Sequence, residues 1–317
     1  MIDQLRRIRR EFLGLNARNH RYLLSGRGAL DQGLVDDKLA THRHLAGRGV
    51  PMPRLLATHE RRGPIGPLLA VLEKHPRFVV KPARGARGDG VLLVTGRDRH
   101  GFTTAAGAGL TPAQLSLHLA DVLNGAFSRG RLPDVAMIEA LVDVDTAMVD
   151  WAFGGLPDCR IVLMRGVPLL AMLRLGTMAS RGRGNLHAGA IAVGVDLASG
   201  RTLHAVHRRR TVINHPDTGI ALVGQVVPYW SRLVMMAARA AATVPLALLG
   251  VDLLVDRDRG PVVLELNARP GLGIQEANLM GLAPLLAQVS AGRRPTSVRA
   301  RVAWGQRIYC SLASAYS

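Results

Sequence analysis

The stretch Gly250–Gly271, GVDLLVDRDRGPVVLELNARPG, leaves the chain little freedom in its local structure. Two strand-like runs, 251–256 and 261–267, flank the turn-prone Arg257-Asp258-Arg259-Gly260. Side chains alternate across a strand, so Val251, Leu253 and Val255 share a face, as do Val262, Leu264 and Leu266. That face is wholly apolar and reads as the core side. If the loop pairs residue 256 with 261, Asp252 falls opposite Glu265, and Asn267 comes next along the same face. Facing carboxylates repel each other. A hard divalent cation reverses that sign, because Mg2+ takes oxygen ligands and is usually held by one or two carboxylates plus substrate phosphates. On pattern alone the alternative is an amphipathic hairpin with a wet acidic face.

The rest of the chain narrows the setting. With 317 residues and 48% hydrophobic content it can bury a large core, and two lobes are natural at this length. Cys159 and Cys310 make neither a disulfide framework nor a metal-ligand spacing, which points to a reducing compartment. The charged start, MIDQLRRIRREFLG, lacks the apolar stretch of a signal peptide, and no run of about 18 uncharged apolar residues follows. A cytoplasmic protein is expected. The formal net charge of +18 favours anionic partners. Specific nucleic-acid binding is not expected, since no recognition motif stands out and aromatics for base stacking are only 4% of residues.

Along the chain, residues 1–25 read as a basic helix with Leu5, Ile8, Phe12 and Leu15 at helical spacing. It suits packing on its own domain, or docking on a membrane surface or a protein partner. A second helix runs from Asp37 to about Arg48, capped by Asp36 or Asp37 and stopped at Gly49. Strands are expected at 78–81, 91–95 and 136–141. Thr111-Pro112 opens a helix to about Ala126. A hairpin spans 159–175, turning at Gly166-Val167-Pro168. Helices cover 225–246 and 279–292, and the last 25 or so residues read as a basic tail with little pattern.

Two glycine-rich loops stand out. Lys81-Pro82-Ala83-Arg84-Gly85-Ala86-Arg87-Gly88-Asp89-Gly90 lies between two strands and lacks the ending of a P-loop. Its glycines let backbone N–H groups approach phosphate oxygens, and Lys81 can neutralise their charge; a plain hairpin turn fits as well. The second, Ser180–Gly189, carries Arg181, Arg183, Asn185 and His187 shortly after Arg174. Guanidiniums beside an amide suit a phosphate or carboxylate, or simply a solvated basic loop. Asp158 and Arg160 should share a strand face, where a surface salt bridge would also explain them. No nucleophile elbow occurs.

These elements, in this order, resemble an ATP-grasp ligase, and within that group the alpha-L-glutamate-ligase-like, RimK-type proteins. The resemblance rests on 35–53, 78–94, 137–143, 158–166, 181–190 and 250–271, which together span about residues 35–290. It implies an α+β fold of two lobes clamping ATP between antiparallel sheets, with a shortened N-terminal region. The implied layout is a basic helical segment at 1–35, an N-terminal lobe at 36–137, a C-terminal lobe with the metal site at 138–290, and a basic tail at 291–317. By the resemblance, Lys38 and Lys81 meet the nucleotide phosphates and the loop bearing Gly85, Gly88 and Gly90 covers them. Glu139 and Ala140 match the adenine hinge. Asp158, Arg183 and Asn185 match further nucleotide contacts, and Asp252, Glu265 and Asn267 match the Mg2+ ligands, with Mn2+ able to substitute. Arg160 and Arg174 resemble residues lining the acyl-phosphate and acceptor side.

The chemistry implied is ADP-forming ligation. A substrate carboxylate, glutamate or an acidic peptide, attacks the γ-phosphate of ATP, and an amine then displaces phosphate to form an amide. Catalysis of that kind is mostly positioning and electrostatics. Two departures bear on the substrate. Only about 35 residues precede Asp37, too few for the family's extra N-terminal domain, so the acceptor pocket is expected to be open, rebuilt or completed by a partner. Arg269 stands where RimK-type proteins have a small residue, which suggests an altered anionic substrate. The alternatives are a ligase for another carboxylate in envelope or sugar-linked biosynthesis, a nucleotide-binding regulatory module, and a basic surface-binding protein.

Overall fold

The computed structural model describes residues 10–23, 28–60, 63–85, 88–99, 101–105 and 107–314. The chain divides into two compact units. The smaller joins 36–43 to 52–143, and the larger gathers 1–35, 44–51 and 144–317.

The smaller unit is built on a six-stranded sheet in the order β1-β6-β2-β3-β4-β5. Its strands are β1 Leu55–His59, β2 Phe78–Pro82, β3 Leu92–Asp98, β4 Gly101–Thr104, β5 Gly109–Leu110 and β6 Ala136–Ala140. All neighbours pair antiparallel. Phe78, Val80 and Ile138 face the helices Gly66–Glu73 and Pro112–Leu123, which contribute Leu68, Leu72, Leu115, Leu119 and Val122 to one core. Alternation then turns Val79, Lys81, Met137 and Glu139 to the other face. There Met137 packs with Ala83 and with Leu39 of the helix Lys38–Ala46. The Thr111-Pro112 start is a full capping box closed by Gln114, a device that satisfies two otherwise orphaned backbone donors. Asp37 accepts from the Ala40 N–H and so caps its helix as the sequence suggests.

The larger unit carries seven antiparallel strands in the order β11-β10-β9-β8-β7-β12-β13. They are β7 Asp158–Met164, β8 Val167–Leu175, β9 Ile191–Val195, β10 Thr202–His207, β11 Arg210–Val212, β12 Leu248–Asp256 and β13 Gly260–Asn267. The helix Trp230–Ala242 packs on β12 and β13, Val298–Ala313 on β8, and Gly273–Asn278 on β8 and β9. As a result β7 and β12 are buried on both faces. Each fully buried Leu, Ile or Val there contributes about 1.5–3 kcal/mol of transfer free energy.

Several expectations change. The β12–β13 turn pairs Asp256 with Gly260, one residue short of the expected partner, and a bulge at Leu264 restores the Asp252–Glu265 pairing. Between the turn and the bulge the shorter turn makes Val263, not Leu264, the partner of Leu253, so the simple two-face division fails over that stretch. β7 and β8 turn through Arg165 and Gly166 alone, both at positive φ. Residues 191–212, unassigned in the sequence, form the β9–β11 meander. The helix expected over 225–246 is confined to Trp230–Ala242, the closing helix expected over 279–292 is Leu282–Ala291, and a short helix that the sequence did not suggest, Gly273–Asn278, precedes it. Residues 298–313, read as patternless tail, are a helix started by Ser297, whose side chain accepts from the Ala300 N–H.

Near the N-terminus an α turn, Leu15–Arg18, runs into a π turn, Asn19–Leu23. Leu15, expected inward, is 59% exposed, and Leu13 and Leu23 are buried in its place. Much of the basic-helix reading, including Leu5 and Ile8, lies outside the described residues. The Gln275 carboxamide ties this segment down: it accepts from the Leu13 N–H at 2.8 Å and from the Leu282 N–H at 2.9 Å, and it donates to the Leu13 carbonyl. No helix among the described residues is long and apolar enough to cross a membrane.

Candidate active site

In the smaller unit the sheet face opposite the aromatic core carries Lys81 and Glu139. The Lys81 ammonium lies 2.5 Å from the Glu139 carboxylate, and Glu139 is 2% exposed. Their register explains the contact: Val79 faces Glu139 across β2 and β6, which leaves Lys81 diagonal to it on the same face. The first glycine-rich loop starts from a pinned stem. The Lys38 ammonium bonds the Gly85 carbonyl, and the Lys38 N–H bonds the Ala83 carbonyl at 2.8 Å. Buried Asp134 accepts from the Arg84 N–H and from Ser128, and the Arg84 guanidinium reaches Asp37 at 3.3 Å. Gly88 and Gly90 lie at positive φ, and a Cβ on Gly90 would stand 2.4 Å from the Phe127 ring. A glycine is required there to close the hairpin. The Ala140 N–H is already given to the Arg54 carbonyl at 2.8 Å.

In the larger unit the polar residues of β7, β8, β12 and β13 come together on one face. Arg160 faces Asp252 across β7 and β12, and Asp252 faces Glu265 across β12 and β13. Asp158 faces Arg174 across β7 and β8. Arg160 holds Asp252 with two bonds, Nε at 2.6 Å and NH2 at 2.5 Å. Arg174 grips Asp158 in the same way, at 2.6 and 2.8 Å, and its NH2 also reaches Asp252 at 2.6 Å. Asp158 and Arg160 do share a face, but each pairs on another strand and neither is at the surface. Asp252 is 0% exposed. The second glycine-rich loop packs onto this network: a Cβ on Gly184 would lie 3.0 Å from Asp158 Oδ2. Gly182 is pressed against Gly155 and Gly176, where a Cβ would clash with its backbone.

Burial acts on the two aspartates differently. It raises the Asp158 carboxyl to about 6, because desolvation and the nearby Asp252 outweigh Arg174 and Arg160. Burial also pushes Asp252 up, yet Arg160 and Arg174 together overcome it and hold that carboxyl at about 2. Arg174 is raised well above its ordinary range: its burial is outweighed by Asp158, Asp252 and Glu265. Paired buried charges of this kind are tolerated when the remaining lone pairs are met.

The donor set fits a hard divalent cation. Glu265 is the cross-strand partner of Asp252, and Asn267 follows on the same face with its carboxamide oxygen set by the Arg269 N–H at 3.0 Å. Oxygen donors from two carboxylates and an amide are the chemistry that Mg2+ prefers. Arg160 and Arg174 place three N–H donors on Asp252, fewer than the about four lone-pair sites of a carboxylate.

The remaining candidates are more peripheral. Arg183 is exposed, and its guanidinium makes no hydrogen bond or ion pair with a described residue. The Asn185 side chain caps the short turn at Leu186 by accepting from the His187 N–H. The Arg269 guanidinium donates to Gln32 at 2.8 Å, and buried Arg18 holds the Arg269 and Pro270 carbonyls at 3.4 and 2.9 Å. Arg18, Gln32, Ser128 and Asp134 gave no signal in the sequence: Arg18 is one of many arginines, Gln32 and Asp134 act on segments far from them in the chain, and Ser128 acts through Asp134.

The model for sugar-transfer associated ATP-grasp proteins matches residues 17–291. No curated protein matches the sequence. Among solved structures, the ATP-grasp ligase PsnB, complexed with a minimal precursor, is 15% identical over 83% of this chain and 62% of its own, with a TM-score of 0.45. The D-cycloserine synthetase DcsG is 17% identical over 87% of this chain and 71% of its own, at 0.43. The D-alanine–D-alanine ligase from Bacillus anthracis, complexed with ATP, is 15% identical over 89% and 70%, at 0.42. This chain thus spans about three fifths of the length of PsnB. With the family match covering most of its length, the chain has the ATP-grasp fold and belongs to the sugar-transfer associated ATP-grasp family.

Proposed function

We propose that the protein is an ATP- and Mg2+-dependent, ADP-forming carboxylate–amine ligase. The observation that supports this most is the Asp252–Glu265 pair, facing across β12 and β13 with Asn267 on the same face, in a chain of ATP-grasp family. In this reading Asp252, Glu265 and Asn267 hold Mg2+, which disperses charge on the transferring phosphoryl group. Lys81 and Lys38 neutralise nucleotide phosphates, and Gly85, Gly88 and Gly90 let backbone N–H groups approach them. Glu139 and Ala140 receive the adenine, while Asp158, Arg183 and Asn185 add nucleotide contacts. Arg160 and Arg174 orient Asp252 and, with Arg269, favour an anionic substrate. The substrate carboxylate attacks the γ-phosphate, ADP leaves, and an amine displaces phosphate from the acyl phosphate. Positioning and electrostatics do this work, so no protein nucleophile is needed.

Two acids suit the site. Glutamate or an acidic peptide follows from the glutamate-ligase-like motifs. A carboxylate on a sugar-linked or envelope precursor follows from the family's association with sugar transfer. Incubation with Mg-ATP and pooled amino acids, acidic peptides and uronic-acid conjugates, read by mass spectrometry, should show ADP, phosphate and a new amide. Glu265→Gln should weaken Mg2+-dependent ATP binding by about tenfold or more, as loss of a charged ligand does. A protein whose melting temperature ignores Mg-ATP would overturn the proposal.

A further inference from the structure

The larger unit has a second concave site that shares no residue with the network on β7, β8, β12 and β13. A cleft of about 480 Å³ opens between the β7–β8 turn, the connection into β12, and the start of the helix Val298–Ala313. Its walls hold Arg165, Arg294 and Arg301 over an apolar surface that includes Ala241, Val244 and Leu246. That size is in the range of about 300–1,000 Å³ typical of small-molecule sites.

Among the described residues no carboxylate pairs with the three guanidiniums. Arg301 Nε and NH2 each donate at 2.9 Å to the backbone carbonyls of Pro295 and Thr296, neutral acceptors that fix its plane without cancelling its charge. The guanidiniums of Arg165 and Arg294 make no hydrogen bond or ion pair with a described residue. Arg165 is set by its turn: it lies at φ 51, and its N–H bonds the Ala247 carbonyl at 2.8 Å. The next residue, Gly166, passes so close that a Cβ there would stand 3.1 Å from Arg301 NH1. Burial and the nearby Arg294 both lower the Arg301 pKa, as expected where positive charge is gathered without a counter-ion. Like charges gathered in this way add nothing to stability. They do match the fork geometry by which guanidinium groups take up phosphate oxygens.

We propose that this cleft is a second ligand site, taking a small phosphomonoester whose phosphate sits among Arg165, Arg294 and Arg301 and whose apolar part rests on Val244 and Leu246. A phosphate suits it better than a carboxylate, because its three oxygens and double charge can engage all three guanidiniums at once. The site stands apart from the proposed ligase chemistry and does not depend on it.

The test uses the full chain and phenyl phosphate, by isothermal titration calorimetry without nucleotide. Phenyl phosphate should bind more tightly than inorganic phosphate. The double variant Arg165→Gln/Arg294→Gln should weaken it about tenfold or more. Both residues are exposed, so the variant should melt no lower than wild type and keep its Mg-ATP response. The control Arg208→Gln/Arg209→Gln removes the same charge elsewhere on the larger unit and should change phenyl phosphate binding less than twofold. Equal losses in the two double variants would make the binding a non-specific effect of the +18 net charge and overturn the proposal. So would unchanged affinity in Arg165→Gln/Arg294→Gln, or wild-type protein that takes up no phenyl phosphate.

Discussion

In the six-stranded sheet one lysine meets one carboxylate, Lys81 to Glu139; in the seven-stranded sheet Arg160 and Arg174 divide Asp252 and Asp158 between them across β7, β8 and β12. The Lys81 side chain is 17% exposed, and its ammonium is a compact charge on a flexible stem. It can leave Glu139 by rotating a few bonds. The Arg160 and Arg174 forks are bidentate and nearly dry; moving Arg174 disturbs both aspartates, and moving Arg160 disturbs Asp252. The smaller unit therefore offers a charge that can change partners. The larger one offers a carboxylate whose orientation is set in advance. The ligase reaction proposed above, which must attract a polyphosphate and hold a metal in place, would use both kinds of group.

Breaking the larger network should have the largest effect. Arg160→Ala leaves Asp252 buried with Arg174 alone, and loss of one member of a buried pair typically costs about 3–5 kcal/mol. Urea titration of Arg160→Ala should show a fall of at least about 3 kcal/mol by that measure. A fall below about 1 kcal/mol would mean that Arg174 suffices, and that the two regions differ less than their geometry suggests.

Lys81→Met should have a smaller effect on stability, because it removes one contact to one carboxylate. About 1–3 kcal/mol is expected for a buried acceptor left unsatisfied. Its Mg-ATP affinity should fall by more than its stability does, as befits a charge kept for a ligand. Equal changes in nucleotide binding and in stability would place Lys81 with the fixed groups.

The smallest effect is a pH signature. Asp158, raised to about 6, binds its proton more tightly folded than unfolded. It adds stability below its ordinary value of 3.8, and that contribution is lost as the pH rises to about 6. Asp252, depressed to about 2, acts in the opposite direction: its contribution is present above 3.8 and lost as the pH falls to about 2. Unfolding free energies of wild type and Asp158→Asn, measured from pH 3 to 7, should therefore diverge between about 4 and 6, with wild type losing stability relative to the variant as the pH rises. Parallel curves would show that Asp158 stays ionised in the folded protein.

The sequence made the Asp252–Glu265 pairing legible, because both residues sit in one hairpin and depend only on its register. The assumed turn was one residue too long, and the bulge at Leu264 recovered the pairing. Bulges arise from packing against neighbouring strands, and no local pattern announces them. The β10–β11 hairpin was illegible for a different reason. It turns on Arg208 and Arg209, both at positive φ, where the usual signal is Asn-Gly or a similar pair. The helix Val298–Ala313 hid behind its arginines and Gly305. That glycine is there because a Cβ would meet the Pro168 carbonyl at 2.3 Å, so it permits close packing on β8 where composition suggested a break. In the site, the residue types on β7 were readable, but their partners were not, since Asp158 and Arg160 choose across strands that only the sheet order brings together.

The Gln275 clasp on Leu13 bears on how the protein is made. The two residues are 262 positions apart, so at about 5–20 residues per second the ribosome delivers the second roughly 13–52 s after the first. In that interval residues 36–143 are complete and free to fold on their own sheet. Leu13, buried at the end, waits that long for its Gln275 partner. The clasp on Leu13 can therefore close only after residue 275 has been made, late in synthesis.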